Sequence, residues 1–217
     1  MELIQEDLNW CLRVLPEVVF KMLKENPNKV FVSGGFIRSC VSGEKVNDVD
    51  IFTTSKGTAE LLARRIADEK HRLIETQNAF TVLGYKYTLQ FIFRWCFETP
   101  EECIKSFDFT IARAAIWDDG NAYKSVIDDR FYIDLAAKRL VYCSPQRNED
   151  AGGSLLRLLK FYQRGYRAPL TTMGSVIARL IQGLEDRGHW TEENNSKVIL
   201  GLLHEVDPSI DPQHIAH

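Results

Sequence analysis

Apolar residues along the first two thirds of the chain switch between helical and strand spacing. Helical spacing of three or four residues occurs over residues 6–24, 36–41, 59–69 and 128–137. Alternation, or short β-branched and aromatic runs, occurs over residues 30–32, 48–53, 71–75, 79–83, 87–93, 114–117, 122–127 and 140–143. Helices and strands interleaved in this way predict an α+β fold, with a mixed β-sheet flanked by helices.

Turn and cap residues divide these elements. Pro16 predicts a kink in the first helix, and Thr58 is the expected N-cap of the helix over 59–69. Thr99 followed by Pro100 predicts another helix start. Residues 118–121 read Asp-Asp-Gly-Asn, a hairpin signal, so we expect their acids to be turn residues rather than ligands.

The last third of the chain has helical spacing only. It covers residues 155–166, 173–184 and 196–206. We therefore predict two domains, a mixed head over residues 1–147 and a small helical neck or C-terminal extension over residues 148–217.

The first helix predicted in the neck carries regularly spaced cations. They recur at intervals of three, four and three residues, which predicts one basic helix face: Arg157, Lys160, Arg164 and Arg167. This face is either a contact surface for nucleic-acid phosphates or an ordinary solvated face. The aromatic residues between the cations are suited either to stacking on bases or to packing the neck.

Composition narrows the function classes. A content of 45% hydrophobic residues supports a sizeable core, and a net charge of −3 argues against a broadly basic nucleic-acid binder. No run approaches the roughly 20 apolar residues that span a bilayer, and the N-terminus lacks a signal pattern, so we expect a cytoplasmic protein without a membrane partner. Five cysteines without a C-x-x-C pair indicate neither a disulfide framework nor a zinc site.

Asp48 and Asp50 are the strongest candidates for chemistry. On a strand, residues two apart point to the same face with Cα atoms roughly 6.8 Å apart. Val49 and Ile51 are apolar and would point into the core, leaving both carboxylates on the open face. Two like charges so close are unfavourable without a counter-ion, and hard oxygen ligands suit Mg²⁺, or Mn²⁺ in its place.

A glycine turn precedes this strand. Gly34 and Gly35 let the backbone approach a ligand closely, and the N–H groups at the start of the following helix favour an anion. Arg38, one turn into that helix, adds positive charge. A phosphate-binding turn and metal-binding carboxylates in one short unit indicate nucleotide phosphate chemistry.

The ordered set GGFIR, DVDIF and SFDFTIARAAI resembles the signature of the DNA polymerase β-like nucleotidyltransferase superfamily. It looks most like the head and neck of bacterial-type CCA-adding enzymes and poly(A) polymerases. The resemblance implies an NTP substrate, Mg²⁺ and an RNA or tRNA 3′-end acceptor. It implies catalytic roles for Asp48, Asp50 and Asp108, and binding of the nucleotide phosphates by Ser33, Gly34, Gly35, Arg38 and Arg113.

The sequence departs from that family at two places. Gln90 stands where many members have a third metal carboxylate, and residues 151–154 lack the arginine expected to read the base. From the resemblance we predict template-independent transfer of NMP from NTP to a hydroxyl acceptor by two-metal-ion catalysis, and because of these departures we keep a catalytically silent nucleotide- or RNA-binding module as the alternative. A toxin- or defence-type enzyme that modifies a protein or makes a small nucleotide, and an oligomeric scaffold, also stay open. Asp134 is expected to be structural, and His204, His214 and His217 incidental.

Overall fold

The computed structural model describes residues 1–143, 152–185 and 191–206. The chain divides into two compact units, Met1–Ala136 and Ala137–His217. The domain boundary predicted at residues 147 and 148, the segment at 151 where a base-reading arginine is missing, and the side chains of the three C-terminal histidines lie outside the described residues. None of the helices in the described ranges is long and apolar enough to cross a membrane.

The first unit is built on one seven-stranded sheet. Its strands are β1 (Val30–Ser33), β2 (Asp48–Thr53), β3 (Leu73–Glu75), β4 (Ala79–Val82), β5 (Thr88–Ile92), β6 (Ala114–Asp118) and β7 (Tyr123–Ile127). They lie in the order β3-β4-β5-β2-β1-β6-β7. Only the central pair β2 and β5 is parallel, and the other neighbours are antiparallel. The predicted mixed sheet is confirmed.

Six helices and one short turn accompany the sheet. The helices are α1 (Gln5–Val14), α2 (Glu17–Glu25), α3 (Gly35–Ser42), α4 (Lys56–Ile66), α5 (Pro100–Lys105) and α6 (Phe131–Ala136), and a 3₁₀ turn spans Thr110–Ala112. Helices α3 and α4 both pack against β2, the strand at the centre of the sheet. The predicted α+β class, a sheet flanked by helices, is therefore confirmed.

The two faces of β2 have different surroundings. Val49 and Ile51 are fully buried, as their spacing predicts. Phe52 lies on the other face and joins a cluster with Phe31 of β1 and Cys103 of α5. Because Phe52 and Asp50 are two residues apart, they share this face. The cluster therefore covers one end of the face and leaves the aspartate end of β2 for the candidate site.

The kink and one of the two helix N-caps predicted from the sequence are present in the structure. The kink at Pro16 separates α1 from α2, and Thr99 caps α5 by accepting from the Glu102 N–H at 3.3 Å. Helix α4 begins before Thr58, and its N-cap is Ser55, whose hydroxyl accepts from the Thr58 N–H at 3.1 Å. The assignment of Thr58 as cap was therefore wrong, because the apolar spacing alone did not show the polar first turn.

The hairpin between β6 and β7 has the expected acidic turn. Asp118 accepts from the Gly120 N–H at 2.7 Å, and Asp119 accepts from the N–H groups of Asn121 and Ala122 at 2.8 Å each. These bonds confirm that both acids are turn residues. Local hydrogen bonding of this kind is a common role of aspartate in loops.

The second unit contains α7 (Gly153–Gln163), α8 (Leu170–Glu185) and α9 (Glu192–Val206), and α7 packs against both others. Residues 140–143, predicted as a strand, do not form one, and Arg139 makes a parallel bridge with Arg167. Helix α7 ends before Gly165, which has φ +87°. The predicted basic helix face is therefore wrong in part, because Arg164 and Arg167 lie beyond the helix.

Candidate active site

Asp48 and Asp50 begin β2 at the centre of the sheet. Asp50 pairs with Ser33 of β1 on one side and with Gln90 of β5 on the other, while Asp48 pairs with Thr88. Both aspartates are partly buried, and Val49 between them is fully buried. The structure thus places two carboxylates on one face of the same strand.

The environment of Asp50 opposes its ionisation. Burial in the sheet is the main cause, and the charge of Asp48 adds to it; together they raise the pKa of Asp50 to about 7, while the guanidinium of Arg38 acts in the opposite direction. A carboxylate placed beside another carboxylate in a partly dry site lacks a compensating positive charge. A divalent cation at this position would supply that charge.

The donor set fits a cation held by two protein carboxylates. Within residues 1–143, 152–185 and 191–206, no group of three or more carboxylate, histidine or cysteine side chains is arranged to hold a metal ion, so Asp108 does not join the pair in such a cluster. Gln90, in register with Asp50, contributes a neutral amide instead of a third charge. Mg²⁺ suits this arrangement because it commonly retains water and substrate oxygens as its remaining ligands.

The glycine turn is fixed by its surroundings. Gly34 has φ +80°, and a Cβ there would lie 3.0 Å from a ring carbon of Phe107. Its N–H donates to the Ala114 carbonyl at 3.0 Å, which ties the turn to β6. Gly34 is therefore required for shape, and the N–H groups available to an anion are those of the first turn of α3, which lack acceptors within the helix.

Two predicted phosphate ligands are built into the protein interior. The Ser33 hydroxyl is fully buried and donates to the Ala114 carbonyl at 2.6 Å. Arg38 is also buried; it donates to the Ser39 hydroxyl at 3.3 Å, and its Nε lies 3.8 Å from a Glu44 carboxylate oxygen. Direct phosphate binding by Ser33 and Arg38 stays a prediction, which these contacts do not favour.

Asp108 and Arg113 lie on the segment that links α5 to β6. Asp108 is only 1% exposed. Arg113 donates to the backbone carbonyls of Phe107 at 3.0 Å and Lys105 at 3.1 Å, and it lies 3.5 Å from an Asp128 oxygen. Phosphate binding by Arg113 stays a prediction, which these contacts do not favour because the Arg113 guanidinium holds the linking segment in place.

The four cations expected to contact nucleic acid are dispersed in the second unit. Arg157 and Lys160 lie on α7, whereas the Arg164 guanidinium lies 5.9 Å from the Phe161 ring centre beyond the helix end. Arg167 donates to the Tyr166 carbonyl at 2.8 Å. Phe161 and Tyr166 are buried, with rings 5.3 Å apart, so these aromatics pack the neck.

Sequence reasoning missed two residues of the site. Phe107 shapes the glycine turn, and Glu44 pairs with Arg38 beneath it. The only sequence signal for Glu44 was its charge in the loop before β2. Phe107 stands next to Asp108, but nothing in its spacing indicated a contact with Gly34 across more than seventy residues.

The chain has the nucleotidyltransferase fold, as its similarity to solved structures shows. The CCA-adding enzyme of Thermotoga maritima, complexed with tRNA, is 20% identical with a TM-score of 0.57, over 92% of this chain and 54% of that one. A CCA-adding enzyme with CTP is 21% identical with a TM-score of 0.62, over 92% of this chain and 51% of that one. The chain thus spans about half the length of these enzymes.

The sequence profile of a family described as Gabija anti-defense 2 (Gad2) family protein matches residues 4–138. The chain belongs to the Gabija anti-defense 2 family. A comparison with curated proteins finds no match.

Proposed function

We propose that this chain is a divalent-metal-dependent nucleotidyltransferase, which transfers NMP from NTP to a hydroxyl acceptor. The observation that carries the proposal is the pair Asp48 and Asp50 on one face of β2. Asp50 has a pKa raised to about 7 by burial and by the charge of Asp48, with Arg38 opposing the shift. A site that leaves two carboxylates without sufficient positive charge is suited to a cation that arrives with a nucleotide.

Each part of the site has a role in this proposal. Asp48 and Asp50 would hold the ion, Mg²⁺ or Mn²⁺, which when bound neutralises triphosphate charge and acidifies an acceptor hydroxyl. The N–H groups at the start of α3 would bind phosphate oxygens. Arg38, buried beneath the turn, would favour the ionised form of Asp50 from within. The role of Asp108 near the nucleotide stays a proposal based on the family resemblance.

The acceptor has two candidates. An RNA or tRNA 3′ end is supported by fold neighbours that include a complex with tRNA. A protein hydroxyl or a small nucleotide, as in a toxin- or defence-type enzyme, is supported by the anti-defense description of the family. The neck cations Arg157, Lys160, Arg164 and Arg167 would assist the first candidate by contacting RNA phosphates.

The test uses each labelled NTP with Mg²⁺ and total cellular RNA, followed by separation of RNA, protein and small-molecule products. We expect label in one fraction, which identifies the acceptor, and a loss of roughly 10³-fold or more in Asp48→Asn/Asp50→Asn, since metal-assisted charge stabilisation is worth several kcal/mol. The exposed pair Asp129→Asn/Glu101→Gln removes the same charge elsewhere and should keep full activity. Unchanged turnover in the Asp48/Asp50 variant would refute the mechanism.

A second candidate function, a silent nucleotide- or RNA-binding module, is favoured by Gln90. In register beside Asp50, it replaces the charge expected of a third carboxylate with a neutral amide. Both functions predict that NTP with Mg²⁺ raises the melting temperature. Pyrophosphate release separates them, because only the enzyme produces it.

A further inference from the structure

A surface pocket is lined in part by the loop that leads into β2, the strand that carries Asp48 and Asp50. Its volume is about 530 Å³, within the roughly 300–1,000 Å³ typical of small-molecule sites. Its walls come from α1, from the end of α3 with the loop that follows, and from the segment before β5. All of these elements belong to the first unit.

Two aromatic side chains give the pocket a flat, apolar character. Trp10 on α1 is 51% exposed, an unusual exposure for so large an apolar surface. Tyr87, before β5, is half-buried in the pocket wall. Exposed aromatic rings beside a cavity are the usual platform for stacking a planar base.

Two lysines give the same pocket positive charge. Lys45 and Lys86 are both exposed, and the Lys86 ammonium lies 4.9 Å from the centre of the Tyr87 ring. In the part of the chain that the structure describes, neither lysine forms an ion pair. Glu44, the acid in the lining, lies 3.8 Å from the Arg38 guanidinium, which offsets its charge.

The pocket is next to the aspartates along both strands that carry the site. Lys45 and Val46 lead into Asp48, and Tyr87 immediately precedes Thr88, which is in register with Asp48. The Thr88 N–H donates to the Asn47 carbonyl at 3.3 Å, which joins the two entering segments. A ligand in the pocket is thus held at the end of the sheet where Asp48 lies.

We propose that this pocket binds a nucleoside phosphate, with the base on Trp10 and Tyr87 and the phosphate at Lys45 and Lys86. The ligand is either a free nucleotide or one nucleotide unit of a single-stranded RNA. Aromatic rings interleaved with lysines match both the base and the phosphate of this ligand class. The inference concerns binding only, so it stands independently of catalysis at Asp48 and Asp50.

The experiment measures fluorescence anisotropy of a labelled single-stranded oligoadenylate, with EDTA present so that metal at the aspartates does not contribute. We expect Lys45→Glu/Lys86→Glu to weaken binding about tenfold or more, because contacts to phosphate dominate affinity. Trp10→Ala should weaken it about fivefold or more through lost stacking, and Trp10→Phe should largely restore it. Lys29→Glu/Lys70→Glu makes the same charge change at exposed lysines elsewhere and should have little effect.

Unlabelled ATP distinguishes the two sources. If ATP competes with the oligonucleotide, and this competition is lost in the pocket variants, the pocket binds a free nucleotide. If the oligonucleotide binds through the pocket and ATP does not compete, the pocket binds a nucleotide unit of single-stranded RNA. Binding of neither probe, or equal weakening in the Lys29/Lys70 control, overturns the inference. Pyrophosphate release reports catalysis at Asp48 and Asp50, whereas anisotropy in EDTA reports the pocket, so a failure of catalysis and a failure of the pocket are separately visible.

Discussion

Two aspartates of the first unit, Asp134 and Asp50, differ in the partners that the protein provides for their carboxylates. Asp134 on α6 is fully buried and accepts from the Thr110 hydroxyl at 2.8 Å and from Arg130 at 3.0 and 3.2 Å. Asp50 on β2 faces Asp48, with the same sign of charge, and Gln90. Among the described residues, no hydrogen-bond donor reaches the Asp50 carboxylate. The protein satisfies the charge of Asp134 and leaves that of Asp50 incomplete.

This difference separates a structural acid from a candidate ligand. A carboxylate that is fully paired contributes to folding and has no capacity left for an incoming ion. A carboxylate held beside a like charge costs folding free energy, so its retention at the centre of the sheet suggests a function. Arg113 belongs with Asp134 in this comparison, because its donors are taken up by Lys105, Phe107 and Asp128.

The largest change in stability should come from removing Asp134, whose carboxylate is fully hydrogen-bonded. Asp134→Ala leaves the buried Thr110 hydroxyl without this acceptor and removes both hydrogen bonds from Arg130, so we expect a loss of about 3 kcal/mol in the free energy of unfolding. Urea denaturation measures it. Asp129→Ala, at an exposed aspartate on the same segment, should change stability by less than about 0.5 kcal/mol. A loss equally small in Asp134→Ala would remove the contrast with Asp50.

In metal-free buffer, we expect that removing the charge of Asp50 raises the free energy of unfolding instead of lowering it. Its pKa is raised to about 7 in the folded state, against about 3.9 unfolded, so stability falls as pH rises through this range. Asp50→Asn removes that penalty. We expect it to stabilise the protein by about 1–2 kcal/mol at pH 8, after discounting for solvent screening, and to have little effect below about pH 3, where the carboxyl is largely protonated in both states.

Thermal melts with EDTA across this pH range measure the effect. Asp129→Asn is the matched control, since it removes one negative charge at a largely exposed position. Destabilisation by Asp50→Asn at pH 8 would mean that Asp50, like Asp134, is satisfied by the protein.

The fold and the site differed in how far the sequence could predict them. Alternation along β2 correctly placed Val49 and Ile51 in the core, because local spacing alone decides which face a strand residue occupies. The Ser33 hydroxyl and the Arg113 guanidinium instead donate to backbone carbonyls, of Ala114 for Ser33 and of Phe107 and Lys105 for Arg113. No sequence pattern indicates which backbone oxygen a side chain will meet after folding.

The four cations predicted on one helix face of the neck also show a limit of prediction from spacing. Spacings of three and four residues place cations on one face only while the helix continues. Gly165, in the left-handed region at φ +87°, follows the end of α7, so Arg164 and Arg167 leave that face. Gly165 is a helix-stop signal in the sequence, but the apolar spacing continues to Tyr166, so the spacing predicts a helix that runs past the observed end of α7 at Gln163.

The smallest expected change in stability comes from Gln90→Glu, which tests whether the neutral amide of Gln90 weakens cation binding at the site. Gln90→Glu places a third carboxylate in register with Asp50, and like charges on adjacent strands should cost about 0.2–1 kcal/mol of unfolding free energy in EDTA at pH 8. Added Mg²⁺ should more than recover this loss, because a third carboxylate strengthens a hard-cation site. The comparison is the Mg²⁺-induced change in melting temperature of Gln90→Glu against the parent protein.

Thr81→Glu is the matched control for Gln90→Glu. Thr81 pairs with Gln90 one strand further from Asp50, so the added charge lies on the same face of the sheet but farther from the aspartates. It should gain less stabilisation from Mg²⁺. An equal gain in both variants would mean that Mg²⁺ acts on general negative charge. No gain in either would place the cation away from β2, and the incomplete charge of Asp50 would then need a different partner.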